Sequence, residues 1–319
     1  MTSIAPHPQE FGTPTDDADR RDITINALFY NINEDKIEDF THKGISDLQQ
    51  GIVRTPLNPL ITFRDDPLRC LRVIRFAARF GFNIEEGTFA ALSSEVSRDG
   101  IQHKVSRERV GIELDKMLRH PNAAQAVHLL YTSGLFDVVF NPHDPVSLIR
   151  DAPEVAVDLA GRVSETMDSF QHGADPDERK HLFLGAALAA YRNTTFQDKK
   201  GKTFHEANHI IVESLKFPTK EAKTMVAVLE SVDNFRDICR QTRAPTRKEL
   251  GLALRKAAEH WKTAFLLALA LENRETKSDQ LAAYQSIFLM VKDLNLEGSW
   301  NDKPLVNVSN AVLVHNSFF

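Results

Sequence analysis

In FRDDPLRCLRVIRFAARFGF, residues 63–82, an acid and a base stand three residues apart, Asp66 and Arg69, at the head of an apolar-rich run. On a helix, side chains at i and i+3 are neighbours. A carboxylate only accepts hydrogen bonds and a guanidinium only donates them. Cytosine and adenine each present, on the Watson–Crick edge, an amine that donates beside a ring nitrogen that accepts. Asp66 taking the amine and Arg69 giving to the ring nitrogen suits C and A. U and G show the opposite order and would leave buried groups unpaired. On spacing alone the alternative is an ordinary ion pair, contributing about 0.2–0.5 kcal/mol.

More cations follow on the same segment. Arg72, Arg75 and Arg79 fall within a stripe of about 60° on a helix, and no acid accompanies them between Pro67 and Gly81. The bland expectation for such a stripe is a solvated basic face. A second charged group, Arg20-Arg21-Asp22, leads directly into the apolar-rich run Ile23–Phe29. The whole chain has a net charge of −5, which argues against a nucleic-acid partner. Residues 54–119, however, hold 12 Lys+Arg and 9 Asp+Glu, a net of +3 that leaves −8 for the remainder. The basic block is confined to the first half.

The elements that must hold these groups are readable in outline. Residues 23–31 and 36–40 are expected as two strands of a hairpin turning at Asn33-Glu34-Asp35. Residues 44–59 read as connection with one helical turn near Asp47-Leu48. Asp65 or Asp66 with Pro67 predicts a helix start, Leu71, Val73, Ile74, Ala77, Ala78 and Phe80 its apolar side, and Gly81 its end. A second helix is predicted from Ser106 to His120-Pro121, and the pattern from residue 122 to about 291 is helical nearly throughout. With 319 residues, 42% of them hydrophobic, the chain can form two or three packed units. Two distant cysteines, Cys70 and Cys239, suggest neither a disulfide nor a zinc site, and a reducing compartment fits best. No apolar run reaches membrane-spanning length. The expected fold class is α+β: antiparallel strands first, then a mostly all-α remainder.

Taken with their order, the motifs resemble those of class II CCA-adding enzymes, the tRNA nucleotidyltransferases of the poly(A) polymerase-like superfamily, in their eukaryotic and fungal form. Arg20, Arg21, Asp22, Thr24, Asn26 and Ala27 match the ribose-recognition motif. Asp39, Gly44, Asp47, Leu48 and Arg54-Thr55-Pro56 match the hinge motif, and Asp65, Asp66 and Arg69, followed by Arg72 and Arg75-Phe76, the nucleotide-templating motif. Glu108, Arg109 and Glu113 match the supporting helix, with Arg109 and Glu113 spaced for an i,i+4 pair. The resemblance implies a nucleotidyltransferase head over residues 1–58, a neck carrying the templating helices over 59–121, and a tRNA-binding helical body with an incomplete tail over 122–319. It implies CCA addition to tRNA from CTP and ATP, with nucleotide contacts from Arg20, Arg21, Asp22, Asn26, Asp66, Arg69, Arg72 and Arg75. It also implies a monomer in the cytoplasm, with mitochondrial or nuclear pools.

One part of the family pattern is not met. The chemistry requires Mg2+, held by a D-x-D that in the family precedes the ribose motif together with a Gly-Gly-x-Val-Arg-Asp segment. Only nineteen residues precede Arg20 here and none reads that way; Asp17 and Asp19 have the spacing but lie in the lead-in to Arg20. The expectation is therefore no catalytic carboxylates and no metal ligands in this chain, and ends that look cut: WNDKPLVNV resembles a tail element, SNAVLVHNSFF does not. The alternatives are a relative adding only CC or only A, a tRNA- or nucleotide-binding fragment without activity, and, remotely, a zinc peptidase through HEANH, residues 205–209.

Overall fold

The computed structural model describes residues 12–144, 149–198, 200–272 and 277–301. Helix α1, Pro14–Asp19, begins with a reciprocal cap: Thr13 Oγ1 accepts from the Asp16 N–H while the Asp16 carboxylate accepts from the Thr13 N–H. The run after Arg20-Arg21-Asp22 is strand only at its end. Thr24–Ala27 form a 3-10 turn, and β1, Phe29–Asn31, pairs antiparallel with β2, Lys36–Glu38. The expected strand over 23–28 gives way to one distant and one local polar bond: Thr24 Oγ1 donates to Asp47, and the Asn26 amide donates back to Asp22.

The expected connection over 44–59 holds α2, Gly44–Gln50, then β3, Ile52–Val53. Helix α3, Pro59–Asp65, and α4, Leu68–Phe80, follow, α4 close to its predicted bounds. The Asp66 carboxylate accepts from the Leu68 N–H at 3.3 Å, and Gly81 stops α4 at φ +68°, a left-handed value that favours glycine. Strand β4, Asn83–Ile84, pairs in parallel with β3 and so ties the two ends of the α3–α4 segment together. Two helices not expected from sequence, α5, Glu86–Leu92, and α6, Glu95–His103, precede α7, Arg107–Leu118, which has Ser106 at its N-cap as predicted. Helix α4 packs along α7 in the same direction, burying Leu71, Val73, Ile74, Ala77 and Ala78; burial of each larger aliphatic contributes about 1.5–3 kcal/mol. Phe80 remains exposed.

The rest is the helical array the pattern predicts. Helices α8, Ala123–Thr132, α9, Phe136–Val139, α10, Ala152–Ser169, and α11, Pro176–Leu188, lead to a hairpin of β5, Thr195–Gln197, and β6, Thr203–His205. Helix α12, Glu206–His209, runs into a π turn over Ile210–Ser214 before α13, Thr219–Arg240, α14, Arg247–Ala257, α15, Trp261–Ala270, and α16, Lys277–Asp293. Trp261 and eight of the Phe rings are buried in the core, and Phe82, Phe170, Phe288 and Trp300 pack partly buried against it. The last predicted tail segment, beyond Asn301, lies outside the described residues. Buried Lys180 of α11 joins this array to α7, reaching Asp115 at 2.7 Å and Glu221 of α13 at 2.6 Å. Both cysteines are free and buried, and burial pushes the Cys70 thiol up to about 12. No described helix is long and apolar enough to cross a membrane.

HEANH is not a zinc site. His205 precedes the helix rather than sharing a face of it, and both its ring nitrogens are engaged, one with the Arg192 carbonyl and one by the Ala207 N–H. Glu206 is buried and accepts from the His143 N–H. Among the described residues no group of three His, Cys, Asp or Glu side chains could hold a metal ion.

Candidate nucleotide site

Arg20, Arg21, Asp22, Asn26, Asp66, Arg69 and Arg72 line one open cleft of about 410 Å³. It lies between the turn that follows α1 and the first two turns of α4, so residues 40 to 50 positions apart in sequence face each other. Four cations and two carboxylates give it a net charge of +2, complementary to a polyphosphate.

Asp22 is its fixed point, only 6% exposed. One carboxylate oxygen accepts from the Ile23 N–H at 3.0 Å and the Asn26 amide at 3.1 Å; the other accepts from Arg72, Nε at 2.8 Å and Nη2 at 2.6 Å. Arg72 is thereby fixed in the cleft wall. Arg69 donates to the Arg20 carbonyl at 2.7 Å, which joins α4 to the lead-in segment and leaves its other donors free for a ligand. Arg20 and Arg21 both lean on Asp17, three and four residues earlier. Those two bonds hold the Asp17 carboxyl below the usual carboxylate range, the Arg21 contribution the larger. Asp17 is a support that sequence reading missed, and its i,i+3 and i,i+4 spacing signals it once α1 is known to be helical.

The expected Arg109–Glu113 pair does not form. Arg109 instead reaches across to Asp66 at 3.2 Å, and Glu113 turns inward to Arg75 at 2.5 Å and Lys116 at 3.2 Å. The physical reason is burial: Glu113 is only 3% exposed and needs the one buried guanidinium nearby, while Arg109 stays at the surface beside Asp66. Asp66 and Arg69 do not pair with each other, which removes the ordinary i,i+3 ion pair as their explanation. Nor is the arginine stripe a uniformly solvated face: Arg72 is tied to Asp22 and Arg75 is buried against Glu113, with only Arg79 fully outward. Arg75 faces away from the cleft that its three neighbours in the motif line.

The hinge residues sit behind the cleft. Buried Asp47 accepts from Thr24 Oγ1 at 2.7 Å and Arg54 Nε at 3.0 Å, and the Thr24 N–H donates to the Arg54 carbonyl. A Cβ at Gly44 would lie 2.7 Å from the Thr24 carbonyl oxygen, so only glycine lets α2 approach the 3-10 turn this closely. Asp39 accepts from the Ile45 N–H at 3.0 Å and Thr41 Oγ1 at 2.7 Å; burial opposes its charge, but these bonds outweigh burial and hold its carboxyl below the usual range. Glu108, exposed on the first turn of α7, does not line the cleft.

Two stretches of the chain match known families. The poly A polymerase head domain matches residues 2–54, and the probable RNA and SrmB-binding site of polymerase A matches residues 81–145. Over those two stretches the chain resembles the poly(A) polymerase family. It is similar to the mitochondrial CCA tRNA nucleotidyltransferase of Saccharomyces cerevisiae, 31% identical over 93% of this chain and 61% of that protein. It is also 32% identical to tRNA nucleotidyltransferase cca2 of Schizosaccharomyces pombe, over 93% of this chain and 62% of that one. The chain thus spans about three-fifths of the length of the curated relatives it matches. Among solved structures, a CCA-adding enzyme complexed with ATP shares the fold at a TM-score of 0.62 and 21% identity, covering 95% of this chain and 63% of its own.

Proposed function

We propose that this chain is the nucleotide-selecting and tRNA-binding portion of an enzyme that adds C, C and A to tRNA 3′ ends from CTP and ATP. The observation that carries the reading is the cleft itself: the acceptor Asp66 and the donors Arg69 and Arg72 open into one cavity whose other wall carries Arg20 and Arg21. In it, a C or A base donates its amine to Asp66, sharing the carboxylate with Arg109, and accepts at its ring nitrogen from Arg69. Asn26 is placed for a ribose hydroxyl, Asp22 holds Asn26 and Arg72 in position, and the arginines serve the triphosphate. The names of the fungal relatives and the match over residues 81–145 support tRNA as the second substrate. Residues 1–58, 59–121 and 122–319 correspond in this reading to head, neck, and body with tail. A monomer resident in the cytoplasm, with a mitochondrial pool like that of the yeast relative, completes it.

The magnesium chemistry that the family resemblance implies is not matched by the described residues. Asp17 is occupied by two arginines, Asp22 by Arg72 and Asn26, and Asp66 by Arg109, and among the described residues no three such side chains group to hold a metal ion. No step is therefore derived through that ion.

Two measurements test the proposal. Calorimetric titration with each of the four ribonucleoside triphosphates should give CTP and ATP binding at least about tenfold tighter than UTP and GTP, the discrimination expected when a misfit base strands buried polar groups. Equal affinity for all four would remove the base-reading assignment. Incubation with tRNA lacking CCA, labelled CTP or ATP, and Mg2+ then separates full addition from CC-only or A-only activity and from binding without catalysis.

A further inference from the structure

Arg75, directed away from the nucleotide cleft, lines a second cavity of about 260 Å³ at the far end of α4 and α7. Its walls carry Arg75, Arg79, Lys116, Arg119 and His120, and among the described residues no carboxylate lines it. Three acids stand behind these cations rather than in the cavity: Glu113 serves Arg75 and Lys116, and Asp115 and Asp177 serve Arg119. Arg79 makes no ion pair among the described residues and is exposed, so its charge is uncompensated. His120 takes up a proton less readily than usual, first because it is partly buried and then because Arg79 and Arg179 stand near it. The cavity is smaller than the usual range of small-molecule sites, about 300–1,000 Å³, and smaller than the nucleotide cleft. It has room for an anionic group rather than for a nucleotide.

Its position gives the anion a source. From Arg69 to Arg79 is ten helical residues, about 15 Å, which is the span of about four stacked nucleotides at roughly 3.4 Å each. We propose that this cavity seats a backbone phosphodiester of the RNA strand whose 3′ end enters the nucleotide cleft, with Arg79 as the principal contact and buried Arg75 as the fixed cation at its floor. This rests on the tRNA reading above and adds where the strand runs: along α4, from the base-reading pair at its head to the basic cavity at its end. Phosphate contact fixes register and carries no sequence information, so the site would hold any tRNA at the same distance from the templating residues.

The test uses the chain as it stands with Arg79→Ala and Arg79→Glu, both at an exposed position outside the nucleotide cleft. Binding of fluorescent tRNA lacking CCA is followed by anisotropy from about 50 to about 200 mM KCl, and CTP binding by calorimetry. Expected are tRNA affinity about three- to tenfold weaker for Arg79→Ala, weaker still for Arg79→Glu, and a slope of log K against log salt reduced by about one, with CTP affinity unchanged. Unchanged tRNA affinity and slope in both variants would overturn the proposal. So would inorganic phosphate binding that depends on Arg79 while the tRNA slope stays that of the parent, which would make the cavity a free-anion site. Failure of the parent to bind CTP would instead remove the reading of the cleft and leave an Arg79-dependent tRNA slope standing.

Discussion

Replacing Glu113 by glutamine removes one charge from the packed interface between α4 and α7. Arg75 is 8% exposed and Glu113 3%, their closest atoms 2.5 Å apart, and Glu113 also accepts from Lys116. Breaking a buried pair on one side costs about 3–5 kcal/mol, because the partner charge is left in a low-dielectric site. Glutamine keeps one acceptor oxygen, which places Glu113→Gln near the lower end, about 3 kcal/mol, or roughly 4–5 °C in melting temperature for a chain of this size. The companion Arg75→Met/Glu113→Leu removes both charges at similar volume and should recover most of that loss. Nucleotide binding should separate from stability. Arg72 loses only its distant contact to Glu113 at 3.9 Å and keeps Asp22 at 2.6 Å, so Glu113→Gln should weaken CTP binding far less than Arg72→Ala does. Thermal melts by circular dichroism and CTP titration decide both points. A Glu113→Gln protein melting within about 1 °C of the parent, equivalent to less than about 1 kcal/mol, would refute the view that Arg75 depends on this carboxylate.

Two further outcomes are expected. Gly44→Ala drives a methyl group against the Thr24 carbonyl and Leu28, and should destabilise by about 1–3 kcal/mol and weaken CTP binding by displacing the turn that carries Asn26; urea unfolding with parallel titration checks it, and parent-like values in both would show that α2 yields freely. His181 is pushed down to about 4 by burial first, then by the charges of His260 and Lys180, so it stays neutral in the fold while the unfolded chain protonates near 6.5. The stability it contributes is full above about pH 6.5 and is lost as pH falls toward 4, about 2 kcal/mol once residual solvent screening is allowed for. Urea unfolding at pH 7.5 and pH 5 should show a drop that His181→Gln partly abolishes, and an identical drop in the variant would assign it to other groups.

Much of the site was legible because its chemistry is carried by residue types at fixed local spacing. Asp66, Arg69, Arg72 and the Arg20-Arg21-Asp22 group could be chosen from donor and acceptor inventories and from motif order, and the structure brings all of them to one cleft. The bounds of α4 and α7 were legible for the same reason: Asp66, Gly81 and Ser106 are stop and start signals that act within a turn of themselves. A distant partner decides at 23–28, where an apolar-rich run reads as strand but Asp47, more than twenty residues away, takes the Thr24 hydroxyl.

What only the tertiary structure decided is which partner each charge finds. Spacing offered Arg109 to Glu113 and a free arginine stripe to solvent. Packing α4 along α7 buries Glu113 and Arg75 together, releases Arg109 to Asp66, and turns one stripe toward two cavities, Arg69 and Arg72 to the nucleotide cleft, Arg75 and Arg79 to the second. Helical periodicity fixes the direction of a side chain only relative to its own axis. The energy of an ion pair is set by burial and by atoms 38 to 50 residues away, as for Arg75 with Glu113 and Arg72 with Asp22, and these exist only once the helices are packed.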